Sequence, residues 1–526
     1  MTPRRLLWAA MAAHSAGFAA LSALRHRAFE TGRFDLGNMV QAVWSTAHGQ
    51  PLQMTSLQGE QVSRLGSHVD PLLAAFAPLW WVWPRAELLL TVQAAAVAIG
   101  ALPVFWLARK HLRSERAALG FALAYLLYPP LQWATLSEFH PVTLSCPLLL
   151  FALWYLDEGR LALFALFALV AVLGKEEVGL VVAAVGLWYA LGRRQALAGT
   201  AIVVAGFMAS LVAVEVIVPH VHEGASPFYG RYEEVGGSPG GILETIVTDP
   251  GRVLSIAFDE RGLRYLAAVL VPLAGLALVA PLAALVAAPE LALNLLSSVS
   301  TQTSVEQHYA AGVAPGIVFA SILGAARLTR GRLRPELLAM GVVVVAVAAN
   351  VRLGALPLWG HLPGGSSRPS QLVSVSAHDD ATRRVLARVP AEATVSATNT
   401  LGAHLSARRR LFSFPRTRGA DWVAIDETRL SVLDRASAPH DGRRALAALR
   451  ASERWQLVAA EDGVLLFRRV EQPSRAGSST SKETGLMIER FRAPADRRRG
   501  RSASVSQRST ITAERPAAAG TPRAQP

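Results

Sequence analysis

The stretch LALFALFALVAVLGKEEVGLVVAAVGLWYALG, residues 161–192, decides the topology of the chain. It reads either as one overlong helix or as two short arms meeting at Lys175, Glu176 and Glu177. Loops of basic or mixed charge, DEGR and GRR, bracket it. The reading is therefore a hairpin over 160–191 with the charged triplet at its tip. Neutralisation among the three charges lets the short arms sit deeper than solvated termini would allow. A single helix would invert every crossing downstream.

Working outward, apolar segments long enough to cross a bilayer, or nearly so, fall at about 6–24, 86–108, 116–129, 141–157, 160–174, 177–191, 196–218, 263–280, 282–297, 309–327 and 335–353. A chain of 526 residues that is 52% hydrophobic, with a mean hydropathy of +0.32, is too apolar for a soluble globule. The expected fold class is an α-helical polytopic membrane protein of about 11 transmembrane helices, residues 1–355. The basic, apolar start also fits a cleaved signal peptide. Its apolar run of roughly 19 residues matches a full crossing, which favours an uncleaved first helix.

Basic residues in short loops orient such proteins. MTPRR, RKHLRSER (109–116), LGRRQ (191–195) and RLTRGRLRPE (327–336) all fall on the cytoplasmic side if the N-terminus is inside. The loops holding Asp35, Glu138, Lys175, Tyr232 and His308 then face outward. The first outer loop, 25–85, contains VDPLLAAFAPLWWVWP (69–84), whose prolines and tryptophans suggest an interfacial or re-entrant helix.

After residue 353 the pattern changes. HDDATRRVLARV and GRRALAALRASERW read as helices, and ATVSATN and DWVAIDE as strands. WQLVAAEDGVLLFRRV reads as a strand hairpin turning at Asp462-Gly463. Residues 368–470 are thus expected to form a small extracytoplasmic α/β domain. Residues 472–526 are expected to be a disordered basic tail. From 474 onward that tail carries 11 Lys/Arg against 4 Asp/Glu, half of the net charge of +14. The positive charge therefore gives no nucleic-acid signature. A lone cysteine, Cys146, excludes an intramolecular disulfide framework.

Only three lysines occur, Lys110, Lys175 and Lys482, so one between two apolar arms calls for a role. Ionisable groups in membrane segments usually face a cavity or one another. Four outer clusters stand out. The first, GRFDLGNMVQAVWSTAHGQP (32–51) with SRLGSHVDP (63–71), holds Asp35, Gln41, Trp44, Arg64, His68 and Asp70. Asp35 also reads as a helix N-cap. The second is SEFHP with Glu138 and His140, the third Lys175-Glu176-Glu177, and the fourth contains Glu306, His308 and Tyr309. No cluster has metal-ligand spacing on one helix, so no metal site is assigned, and carboxylates from different loops leave a divalent metal open. No phosphate-cradling glycine loop or Walker lysine is present, which argues against ATP-driven chemistry.

FDLGNMVQAVW, SHVDPLLAAFAPLW, YPPLQWATLSEFHP, LGKEEVGL and PELALNLLSS with QHYAAGVAP, in this order over about residues 30–325, resemble the bacterial membrane-protein family called domain of unknown function 2079. More distantly, the layout is similar to the C-type glycosyltransferase fold, whose members use polyprenyl-phosphate sugars. That resemblance implies a plasma-membrane enzyme whose partners are the bilayer and a lipid-linked sugar; it names no protein partner. It implies Asp35 as base, with Glu138, His140 and Lys175 in the catalytic set. Gln41, Trp44, Arg64, His68, Asp70, Glu176, Glu177, His308 and Tyr309 are implied to bind substrate. The sequence departs from the commoner pattern in offering one acidic residue at the Asp35 place rather than an adjacent pair. A transporter or flippase of a lipid-linked precursor, or a non-catalytic envelope assembly protein, are the alternative readings. All catalytic versions require Asp35, Glu138, Lys175 and His308 to converge.

Overall fold

The computed structural model describes residues 1–222, 228–331, 333–437 and 439–470; the expected tail lies outside the described residues. Among the described residues, four helices are long and apolar enough to cross a membrane: Pro3–Arg27, Ala86–Leu112, Ala196–His222 and Pro335–Leu353. Pro141–Asp157, Leu161–Val172, Val178–Gly192, Pro281–Leu295 and Ala314–Leu328 are apolar but shorter, as is Glu115–Leu126. The first helix starts with proline in its first turn, under a Thr2 cap, and ends on Arg25, His26 and Arg27. That polarity suits the helix dipole.

The 161–192 stretch is two helices separated at Leu173–Glu177. Close packing accompanies the break. Gly174 lies so close to the 141–157 helix that a Cβ on it would fall 2.2 Å from Ser145 Oγ. Two expected crossings are jointed rather than single continuous helices. Segment 263–280 is not one helix: Glu260–Leu270 gives way to a 3₁₀ turn at Pro272, then Ala274 and Gly275 take left-handed backbone. Segment 282–297 is likewise divided by a 3₁₀ turn at Leu285–Ala287, just before Pro289. Proline removes a helical donor and clashes with the preceding turn, so both segments are jointed. Short helices at Pro239–Thr248 and Pro250–Ala257, absent from the sequence reading, precede them. The 69–84 stretch is a 3₁₀ turn, Pro71–Phe76, running into a short helix, Ala77–Val82.

The basic loops gather at one end of the helices. Arg4 pairs with Glu115 at 2.6 Å, Lys110 with Asp157 at 2.7 Å, Arg193 with Asp157 at 3.7 Å, and Ser114 donates to Glu336 at 2.5 Å. The ends carrying Asp35, Glu138, Lys175 and His308 meet one another instead.

In chain order the strands are β1 (Gln53–Thr55), β2 (Gln61–Ser63), β3 (Val395–Ala397), β4 (Leu411–Ser413), β5 (Trp422–Asp426), β6 (Trp455–Glu461) and β7 (Val464–Arg469). The first two form an antiparallel ribbon, and the rest a sheet of order β4-β3-β5-β7-β6. β3 runs parallel to β4 and β5, whereas β7 is antiparallel to β5 and β6. The β6–β7 turn falls at Asp462-Gly463, both with positive φ, as that dipeptide favours. The sequence reading missed β1, β2 and β4, three residues each. Residues Met1–Gln472 pack as one compact unit.

His378 bridges the sheet, with Nε2 3.0 Å from Asp426 Oδ2 and Nδ1 2.9 Å from Asp462 Oδ2. Burial alone would lower its pKa, but the hydrogen bonds to both aspartates raise it above the usual 6.5. A raised histidine pKa contributes stability that is complete below the unfolded value and disappears as pH rises through the folded one. Thermal melts of the full-length protein should therefore lose about 1 kcal/mol between mildly acidic and alkaline pH. His378→Gln should flatten that slope; an unchanged slope in the variant would refute the assignment.

Candidate functional site

The site is built on the turn Arg33–Gly37, one π-helical turn that continues into the helix Asn38–Ala47. The N-cap expectation for Asp35 is corrected: Gly32 occupies the cap position and Asp35 lies inside the turn. The capping acceptor is Glu138, 106 residues away in sequence. Its carboxylate accepts from the main-chain N–H of Gly32 at 3.1 Å and of Leu36 at 2.9 Å. Such free donors at a helix start need an acceptor when buried. Glu138 sits between the helices Pro129–Leu136 and Pro141–Asp157 in left-handed backbone, φ 71°, an unfavourable place for a side chain with a Cβ. Gln93 holds it there. Its Nε2 donates to the carbonyl of Glu138 at 2.6 Å, while its Oε1 accepts from the N–H of His140 at 2.9 Å.

Glu138 and His140 are buried, yet the Asp35 side chain keeps 54% exposure, with Oδ1 3.5 Å from His140 Nε2. The two carboxyls are driven apart. For Asp35, burial pushes the pKa up, but His140 and the positive fields of Arg64 and Arg25 outweigh it and hold the group below the usual carboxylate range. For Glu138, burial and the neighbouring Asp35 charge push it up to about 8, against Arg25 and the two N–H donors. The two carboxyls thus favour different protonation states.

A stack of rings leads from Asp35 to a second cluster. The His140 ring lies 3.5 Å from that of His308, and His308 is 4.2 Å from the Tyr309 ring. Lys175 Nζ sits 5.7 Å from the Tyr309 ring centre and 2.5 Å from Glu177. Burial would lower the Lys175 pKa, but Glu177 and Glu176 hold it above its ordinary value. Glu176 accepts from the N–H of Val69 at 3.0 Å, and its other oxygen lies 2.8 Å from His68 Nδ1.

These groups border a cavity of about 310 Å³, lined on its polar side by His68, Lys175, Glu176, Glu177, Arg231, Glu290 and Tyr309 and on its apolar side by Val142, Leu180, Val214, Ile242 and Leu293. Asp35, Glu138, His140 and His308 are not in that lining; Tyr309, on which the His308 ring packs, is. Both ring nitrogens of His140, Nδ1 of His308 and Oε1 of Glu290 are buried without a hydrogen-bond partner. Buried polar atoms left unpaired are costly and call for a reason.

The sequence expectation thus divides. Asp35, Glu138, His140, His308, Tyr309, Lys175, Glu176, Glu177 and His68 are brought together. Gln41 is elsewhere: its Nε2 donates to Thr55 Oγ1 and to the carbonyls of Arg408 and Arg409, and its Oε1 accepts from Thr55 N–H. Trp44 stacks on His48 at 4.2 Å. Arg64 and Asp70 are spent on each other in a buried pair at 2.8 Å. Glu290 and Arg231 were missed. Glu290 had a signal, a lone carboxylate in the apolar run PELALNLL, which the sequence reading absorbed into a crossing. Among the described residues no three His, Cys, Asp or Glu side chains are grouped to hold a metal ion.

Jointed apolar helices carrying a polar cavity at one end define a polytopic membrane protein. The chain belongs to the family described as predicted membrane protein DUF2079, which matches residues 25–466. None of the curated proteins matches the sequence. Among solved structures it is similar to apo ArnT from Cupriavidus metallidurans, at 14% identity over 83% of this chain and 93% of that chain, with a TM-score of 0.46.

Proposed function

We propose that the chain is a membrane glycosyltransferase that moves a sugar from a polyprenyl-phosphate donor to an envelope acceptor on the outer face of the plasma membrane. In this reading the N-terminus and the basic end are cytoplasmic, eleven crossings follow, and the α/β part is extracytoplasmic. The observation that carries the proposal is the pair of unlike carboxyls. An exposed, ionised Asp35 lies beside a buried Glu138, and its His140 neighbour stacks toward a cavity whose polar wall carries Lys175 and Arg231 among three glutamates.

Asp35 takes the proton of an acceptor hydroxyl as its oxygen bonds to the anomeric carbon. The bond from that carbon to the phosphate oxygen breaks, and its electron pair leaves with the lipid phosphate. Lys175, with His140 and His308, offsets the charge that develops on the departing phosphate. Glu176 and Glu177 orient Lys175 and His68, while the apolar cavity wall takes the first part of the lipid. Glu138 sets the Asp35 turn. No metal is assigned a step.

A second reading has its own support. Discontinuous helices beside a polar cavity are frequent in transporters, and 260–295 is jointed in that way. Purified protein in liposomes, supplied with labelled polyprenyl-phosphate sugars and envelope glycolipid acceptors, separates the two. Transferase activity yields a labelled acceptor and free lipid phosphate. Movement of intact donor between leaflets with no new product would replace the transferase reading with the flippase one.

A further inference from the structure

The turn that carries Asp35 is gripped from two sides, and only one grip, that of Glu138, comes from the helical part. The other runs through Arg33, two residues before Asp35, to the C-terminal sheet and to the β1 ribbon. Arg33 is 1% exposed, and it is the largest of the fully buried side chains. Its Nη1 donates to Ser413 Oγ at 2.7 Å, and its Nη2 to the carbonyls of Thr55 at 2.6 Å and Leu411 at 2.9 Å. All three acceptors are neutral. Burying a guanidinium without a carboxylate costs stability, so a purely architectural need would be met better by an apolar side chain.

The surrounding backbone is shaped for the same contact. Helix Asn399–His404 lies directly on the turn: a Cβ on Gly402 would fall 2.9 Å from Arg33 Cβ, and one on Gly37 would fall 2.6 Å from Ser406 Oγ. The His404 ring also stacks on His26, at the end of the first helix, at 3.9 Å. In open α/β sheets, ligands bind beyond the carboxyl ends of the parallel strands. Here the Arg33 turn instead lies along the outer edge of β4, from Leu411 at its start to Ser413 at its end. Gln41 belongs to the same seam, through the carbonyls of Arg408 and Arg409.

We infer that Arg33 is a positioning residue, which locks the Asp35 turn to the C-terminal sheet and makes that sheet part of the active site rather than a separate binding module. Arg33 touches no reacting atom; it acts through the backbone. A lysine would not replace it, because only the fork of a guanidinium reaches a hydroxyl and two carbonyls at once.

The structural half of this inference is independent of the proposed activity, whereas its kinetic consequence rests on that reading. The test uses the full-length protein in detergent with Arg33→Lys, Ser413→Ala and Ser413→Thr. Hydrogen exchange by mass spectrometry reads the segment 29–37 against the helix 141–157. In Ser413→Ala, amides of 29–37 should exchange about tenfold faster, the scale of one lost hydrogen bond to a charged donor, with 141–157 unchanged. Ser413→Thr, which keeps the hydroxyl, should restore protection. Arg33→Lys should show the larger effect. In the transfer assay kcat should fall about 100-fold with little change in KM, the cost of a misplaced catalytic group.

Folded variants whose 29–37 exchange matches wild type would overturn the inference. So would loosening confined to 395–470 with kcat preserved, since Arg33 would then serve the sheet alone. If the wild-type protein transfers no sugar, the reading of function fails while the exchange experiment still decides the role of Arg33.

Discussion

Asp35→Asn lowers kcat for sugar transfer by about 1,000-fold, the middle of the range that a positioned general base supplies, and leaves the protein folded. The second half of that expectation follows from geometry. No hydrogen bond to the Asp35 carboxylate is present among the described residues, its one ionic contact is the 3.5 Å approach of His140, and the side chain is half-exposed. An amide of the same shape therefore disturbs little of the fold, but it cannot accept the hydroxyl proton. The first half follows from electrostatics: a carboxylate held below its usual range by His140, Arg64 and Arg25 against burial stays ionised throughout the neutral range. Transfer at the wild-type rate by a folded Asp35→Asn protein would remove the base. It would also return the family member to a transport or assembly role.

Lys175→Met produces the largest effect on stability. Lys175 is 16% and Glu177 14% exposed by side chain, and Glu176 and Glu290 border the same cavity. Removing the cation leaves buried carboxylates facing one another without compensation, a change that costs about 3–5 kcal/mol. A drop in the melting temperature in detergent and a fall in yield should both register it. The double variant Lys175→Met/Glu177→Gln removes charge of both signs and should recover much of the loss, although it transfers no sugar. If Lys175→Met alone melts like wild type, the charges around the cavity are solvated rather than mutually dependent, and Lys175 has no structural claim.

Local chemistry in the sequence was readable wherever one segment contained the whole cause. The Asp462-Gly463 turn carries its own backbone preference, and the α/β pattern after residue 353 alternates over short distances. The break at Lys175-Glu176-Glu177 follows from charges between apolar arms. The jointing at Pro272 and Gly275 was present in the sequence as well, but an apolar run of the right length outweighed it in the reading. Glu138 illustrates the opposite case. Its capping of Gly32 and Leu36 spans 106 residues and 102 residues respectively, and no local pattern distinguishes a carboxylate that caps a distant turn from one that is solvated. Gln41 misled for the same reason. A glutamine near Asp35 in sequence turns away from it in space, to Thr55 and to two carbonyls more than 360 residues downstream.

By itself the sequence determined that this is a membrane chain, which loops share an end of the helices, and where the α/β pattern begins. Each of these depends on composition, length and charge along a single segment, and water and lipid select on those directly. Tertiary structure alone decided that Asp35, His140, His308 and Lys175 form a continuous series, that Glu290 borders the cavity, and that Arg33 reaches a strand 380 residues away. Those facts depend on how jointed helices and a sheet pack at contact distance. An error of a few ångströms in that packing, which no single segment encodes, would separate every one of them.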